Sequence, residues 1–125
     1  MRPEGFPAFL RLKKRREFLV VQGQGKKIHL RHFLVFVRRR RRGKDEAEAP
    51  PTRLGITVTR KIGKAVTRNR IKRLVREGFR RQRRDFAPGL DLVWIAKRGA
   101  PAIHYSDVLA EFDALSLRLR SGGRR

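Results

Sequence analysis

Residues 60–84, RKIGKAVTRNRIKRLVREGFRRQRR, constrain the fold more than any other stretch. Twelve of these 25 positions are Lys or Arg, opposed only by Glu77. Yet Ile71, Leu74, Val75 and Phe79 keep helical spacing through the same run. A solvated basic tail has no use for such spacing. The stretch therefore reads as a folded helix with one apolar face and one dense positive face. On a wheel of about 100° per residue, Leu74, Val75, Gly78 and Phe79 fall within about 80° of Ile71. Asn69, Arg73, Arg76 and Arg80 fall on the far side, with Arg70 and Lys72 on the shoulders.

The rest of the chain supplies something for that apolar face to cover. Residues 28–37 (IHLRHFLVFV) are rich in β-branched and aromatic types and read as one or two strands, with Leu34 and Phe36 on one face and Phe33, Val35 and Val37 on the other. Residues 53–59 read as a strand with Leu54, Ile56 and Val58 inward and Gly55, Thr57 and Thr59 on the opposite face. Residues 91–96 (DLVWIA) form a nearly continuous apolar run, as in a central strand. The basic helix is expected over about 67–85. A strand on each side of it implies a parallel pair. A short helix over 12–22 would carry Leu12, Phe18 and Leu19. A final helix from Tyr105 to Leu119, capped by Ser106, would carry Val108, Phe112, Leu115 and Leu119 on one stripe.

One domain is expected over residues 12–120. Residues 1–11 read as a mobile lead-in, and 121–125 as a frayed basic tail. Residues 38–51, five Arg followed by an acidic patch and two Pro, read as a loop.

The net charge of +23 narrows the partner to a polyanion, with nucleic acid foremost. Arg suits phosphate because its planar fork donates two parallel hydrogen bonds. Asn69 adds a donor and an acceptor for a base edge or sugar hydroxyl. Backbone N–H groups after Gly63 and Lys64, at the helix start, suit a phosphate. No GxxxxGK[ST] loop is present, so nucleotide hydrolysis has no support. No cysteine is present, which fits a reducing cytoplasm and removes thiolate metal sites. No segment reaches the roughly 18 apolar residues of a membrane span, and the N-terminus lacks a signal-like apolar run.

A protein nuclease needs clustered carboxylates for metal ions, or a histidine acid–base pair. The tightest carboxylate cluster lies in the 38–51 loop, a poor platform for a precise site. Asp107 and Glu111 read as a solvated helix face. His29 and His32 would point to opposite faces of a strand and read as non-ligands. Composition leaves open a ribosomal or chaperone-type RNA binder and a stand-alone basic nuclease. The missing acid–base set disfavours the last.

The stretch RLGITVTRKIGKAVTRNRIKRLVREGFR resembles the signature of the bacterial ribonuclease P protein subunit, centred on Arg68-Asn69-Arg70 and the following Ile71-Lys72-Arg73-Leu74. LKKRREF, RHFLVF and DLVWIAKRGA also resemble the family, so the likeness spans about residues 12–120. It implies a single-domain α/β (α+β) sandwich, a mixed sheet of about four strands packed against helices, like the second domain of a small-subunit ribosomal protein. It also implies a left-handed β-α-β crossover, where general rules select the right-handed form. The implied job is removal of the 5′ leader from precursor tRNA, with catalysis by the RNA subunit and its magnesium ions. Arg68, Asn69, Arg70, Lys72 and Arg73 would face that RNA, joined by Arg76 on the far side of the helix. Arg60, Lys61 and Lys64 would line the approach. Leader nucleotides would lie in a cleft on the open sheet face, at Phe18 and Phe36, bordered by Thr57 and Thr59. Where many members place an aromatic four residues after the first, this chain has Gln22, which weakens one stacking contact.

Overall fold

A computed structural model describes residues 10–40 and 51–122, side chains at 121 and 122 excepted. The chain runs α1 (Arg15–Gln24), β1 (Lys26–His29), β2 (Phe33–Arg39), β3 (Arg53–Thr57), α2 (Ala65–Gln82), β4 (Leu90–Ala96) and α3 (Tyr105–Gly122). Short 3-10 turns occupy Arg83–Asp85 and Ala100–Ala102. The four strands form one sheet in the order β1-β2-β4-β3. β3 and β4 are parallel neighbours joined through α2, and the other pairs are antiparallel. The mixed α+β sandwich expected from the sequence is the fold observed.

Alternation along the strands decides what each face meets. Phe33, Val35 and Val37 of β2, Ile28 of β1, Leu54 of β3 and Leu92 and Trp94 of β4 are buried toward α2 and α3. Trp94 anchors this layer. Its ring centroid lies 5.0 Å from Phe33 and 4.3 Å from Phe112 of α3. Each such buried ring contributes about 2–3 kcal/mol through lost water contact. Ile71, Leu74, Val75, Gly78 and Phe79 are buried as the wheel predicts. Gly78 matters by what it lacks: a Cβ there would stand 2.8 Å from Val108 Cγ1 and 3.0 Å from Phe112 Cε2. Its absence lets α2 and α3 approach closely. Gly89, with φ of 86°, turns the chain into β4.

On the opposite face α1 packs across the sheet, with Val21, Leu12 and Val93 buried and Phe18, Phe36 and Ile95 half-buried around them. β4 is thus apolar on both sides, as its unbroken run implied. Arg11 bridges Leu54 in parallel, and the Leu12 N–H donates to Leu54 O at 2.9 Å, so the lead-in covers part of the β3 edge.

Several sequence expectations need correction. Leu10 is 2% exposed, and Arg11, exposed at its side chain, bridges the sheet edge, so these two residues join the fold where a mobile lead-in was expected. Positions 1–9 and 123–125 lie outside the described residues. α1 starts after Leu12, and Leu19 is 52% exposed on its outer side. Arg38 and Arg39 extend β2, where Asp91 of β4 stands opposite Arg38 and forms an ion pair with it. Positions 41–50 of the expected loop lie outside the described residues. α2 begins two residues earlier than expected, and β3 ends at Thr57. Ser106 falls inside α3, where the Asp107 carboxylate accepts the His104 N–H at 2.8 Å. Glu111 is buried. It accepts the His32 N–H at 3.0 Å, and His32 Nδ1 lies 2.5 Å from its second oxygen. The turn before β2 folds onto α3 and takes Glu111 out of solvent, while His32 lies outside the strand expected for it.

Candidate nucleic-acid interface

The basic face rests on a helix fixed by its other side. Ile71, Val75 and Phe79 are fully buried, so the positions between them are held at helical spacing. Asn69 and Arg73 are exposed, whereas Arg68, Arg70, Lys72 and Arg76 are half-buried. Arg60, Lys61 and Lys64 are exposed before and at the start of α2. Lys64 is the N-cap residue, and no acidic side chain occupies the first turn. The positive end of the helix dipole therefore adds to the lysine and arginine charge there.

Two arginines are braced by backbone oxygens. Arg68 Nε donates to Gly63 O at 3.1 Å, and Arg70 Nη2 donates to Ile103 O at 2.7 Å. A guanidinium has five N–H donors, so one such bond orients the group and leaves others for a ligand. Arg70 also ties α2 to the segment before α3. Arg76 is in a less comfortable setting. Burial, and then the like charge of Arg11, push its guanidinium down from the usual arginine value. Sequence reading did not single out Arg11; its proximity to α2 follows from the edge bridge to Leu54, which spacing does not reveal.

The aromatic positions meet on the other side of the sheet. Register sets Lys27, Phe36, Val93 and Gly55 in one cross-strand row, and His29, Leu34, Ile95 and Thr57 in the next. Phe18 of α1 lies over Gly55, and Phe18 and Phe36 belong to one apolar cluster. Lys27 Nζ stands 6.0 Å from the Phe36 ring centroid. Leu34 and Ile95 are half-buried, forming an apolar strip beside Phe36 that the sequence reading left out of the cleft, with the expected Thr57 half-buried at its β3 end. Its signal was the doubly apolar run of β4. Thr59 lies beyond the end of β3 and is exposed, its carbonyl accepting the Ile62 N–H at 3.0 Å. Thr57 alone of the two threonines sits in the strand row. Gln22 is half-buried on α1.

Two charged groups hold α1 in place. Arg53 donates to Asp91 through Nε and Nη2, both at 3.0 Å. That bond, ahead of other causes, raises the Arg53 value. Glu17 accepts the Lys13 and Lys14 N–H groups at 3.0 and 3.1 Å. Burial alone would raise its value, but these bonds and the Arg53 charge hold it below the usual carboxylate range. Among the described residues no group of three or more His, Cys, Asp and Glu is arranged to hold a metal ion, and no helix is long and apolar enough to cross a membrane.

Comparison with known proteins agrees with this geometry. The family model described as Ribonuclease P matches residues 6–120. The ribonuclease P protein component of Syntrophus aciditrophicus is 42% identical over 105 residues, covering 84% of this chain and 82% of its own length. That of Desulfovibrio desulfuricans is 40% identical over 121 residues, covering 95% and 89%. The solved ribonuclease P protein of Thermotoga maritima superposes with a TM-score of 0.73 at 34% identity, over 86% of this chain and 96% of the other. A helix bearing Arg68-Asn69-Arg70 on an open mixed sheet, matched over nearly its whole length, places the chain in the ribonuclease P protein family as the protein component of an endoribonuclease ribonucleoprotein.

Proposed function

We propose that the basic face of α2 binds the catalytic RNA of ribonuclease P, and that the open sheet face holds the 5′ leader of precursor tRNA. The observation that carries this reading is the placement of the two surfaces. One presents Arg68, Asn69, Arg70, Lys72, Arg73 and Arg76 from a helix locked into the core, with Arg60, Lys61 and Lys64 at its approach. The other presents half-buried Phe18 and Phe36 beside Thr57, with Thr59 exposed just beyond the end of β3. Cations that displace condensed counterions supply affinity without reading sequence. Aromatic rings accept any base by stacking, as a leader of varying sequence requires.

Bond cleavage belongs to the RNA and the magnesium ions it holds. Among the described residues the two buried carboxylates are already engaged in holding the fold: Asp91 by Arg53, and Glu111 by His32. The protein raises local substrate concentration, screens phosphate repulsion between the two RNAs, and holds the leader in place. These effects lower the magnesium needed for cleavage. A cytoplasmic setting suits such a role.

Reconstitution tests the proposal. Protein mixed with its cognate RNA should cleave precursor tRNA at a magnesium concentration where the RNA alone is slow, and the protein alone should be inert. A mixture no faster than the RNA alone would leave only a general RNA binder, and cleavage by the protein alone would make it a nuclease.

A further inference from the structure

Three charged side chains form one cross-strand row on the α1 side of the sheet. Register places Arg38 of β2 and Arg53 of β3 on either side of Asp91 in β4. Asp91 is 2% exposed. Arg53 grips it with two bonds of 3.0 Å, Arg40 Nε stands 3.4 Å away, and Arg38 Nη1 stands 3.9 Å away. A bidentate bond fixes the plane of the guanidinium as well as its position. Arg53 and Arg38 then continue to the helix. Arg53 Nη1 donates to Glu17 Oε2 at 3.3 Å in the first turn of α1. Arg38 Nε donates to Gln24 Oε1 at 2.9 Å at its last residue.

One buried carboxylate thus fixes Arg53 by a bidentate bond and pairs with Arg38 by charge, and these two arginines hold the two ends of α1. Between those ends lie Phe18 and Val21, packed with Leu12, Val93 and Phe36. Phe18 directly follows Glu17. We infer that Asp91 is a positioning residue for leader binding: acting through Arg53 and Arg38, it sets how α1 sits on the sheet, and so fixes the Phe18 ring relative to Phe36. The inference rests on the leader reading given above. It assigns Arg38 and Arg53 to a structural task, apart from the arginines of α2 that serve phosphate. An apolar residue in place of Asp91 would fill the space but would not aim the guanidinium groups at the helix.

Two variants test this. Asp91→Asn removes the charge and keeps the volume. Glu17→Gln combined with Gln24→Ala leaves the sheet row untouched, strips the charge from the first tie to α1 and cuts the second, which covers the case in which Asp91→Asn does not fold. Each is assembled with the catalytic RNA, and affinity is measured for precursor tRNA and for the same tRNA lacking its leader. The ratio isolates the leader, since general loss of folded protein lowers both affinities together. The ratio should fall by about tenfold, on the order of one lost stacked base. Affinity of the protein for the RNA should stay within about twofold, because α2 is remote from the row. An unchanged ratio in the folded variants, or equal loss for both substrates, overturns the inference. Phe36→Ala in parallel separates the two levels. If it lowers the ratio and the tie variants do not, the leader surface stands and the role of Asp91 falls. If Phe36→Ala also leaves the ratio intact, the leader reading falls and takes the inference with it.

Discussion

The Phe18 ring lies so close to Gly55 that a Cβ on Gly55 would stand 2.7 Å from Phe18 Cζ and 3.0 Å from Leu12 Cβ. The glycine is therefore the floor on which Phe18, the first aromatic of the proposed leader surface, rests. It also explains why β3, otherwise patterned for a half-buried strand, carries a residue with no side chain at its centre.

Replacing Gly55 by Ala should displace the Phe18 ring. Overpacking at such a contact costs about 1–3 kcal/mol. The ring tip can swing outward, so the low end of that range is expected, together with a several-fold loss of affinity for precursor tRNA and little change for leaderless tRNA. Thermal melting and paired binding measurements check it. A variant that binds both substrates as before would show that the position of Phe18 does not govern the leader.

What the sequence revealed follows from contrast and range. The α2 stripe was legible because five apolar positions stand against arginine at a 3.6-residue period, and the helix buries just those positions. The strands were legible from alternation, which put Phe33 and Phe36 on opposite faces before any contact was known. Asp91 and Glu111 were not legible. Their burial depends on Arg53 and His32, which lie 38 and 79 residues away in the chain, and no local pattern announces such a partner. The same gap hid the end of β2. A run of arginines reads as loop because like charges repel, unless a carboxylate from elsewhere meets them, as Asp91 meets Arg38.

The α2 face should reveal itself through salt. Each phosphate engaged removes about 0.7–0.9 log units of affinity per log unit of salt. Arg68→Ala with Arg73→Ala should therefore flatten the slope for catalytic RNA by about 1.5. Arg73 is exposed and its loss touches no internal bond recorded for α2, whereas Arg68 also braces Gly63. Arg73→Ala alone should thus shift the slope without shifting the melting temperature. An unchanged slope in the double variant would locate the phosphates elsewhere.

Glu17 makes stability depend on acid in a defined direction. Its folded value is lowered from the ordinary 4.5, so the unfolded chain takes up the proton first as pH falls. Its contribution is fully present above the unfolded value and is lost as pH falls through the folded one. The stability gap between the native protein and Glu17→Gln should be constant above about pH 5 and close progressively below about pH 4.5. Urea unfolding across that range reads it. A gap that widens toward acid would reverse the assigned direction. The carboxylate is partly exposed, 30% by side chain, so screening keeps the effect modest.

A net charge of +23 makes the compact chain repel itself. A multivalent anion held on the folded basic face lowers that repulsion and finds no equivalent place on the unfolded chain. Sulfate at ten times its dissociation constant then stabilises by about 1.4 kcal/mol per site. For a domain of this size that is roughly 5 °C in melting temperature. Chloride at equal ionic strength supplies the screening without the divalent, multiply accepting geometry, so the excess of sulfate over chloride measures site binding. Arg73→Ala, which takes one exposed cation from α2, should remove part of that excess. If sulfate and chloride act alike in the native protein, the folded basic face holds no anion beyond general screening.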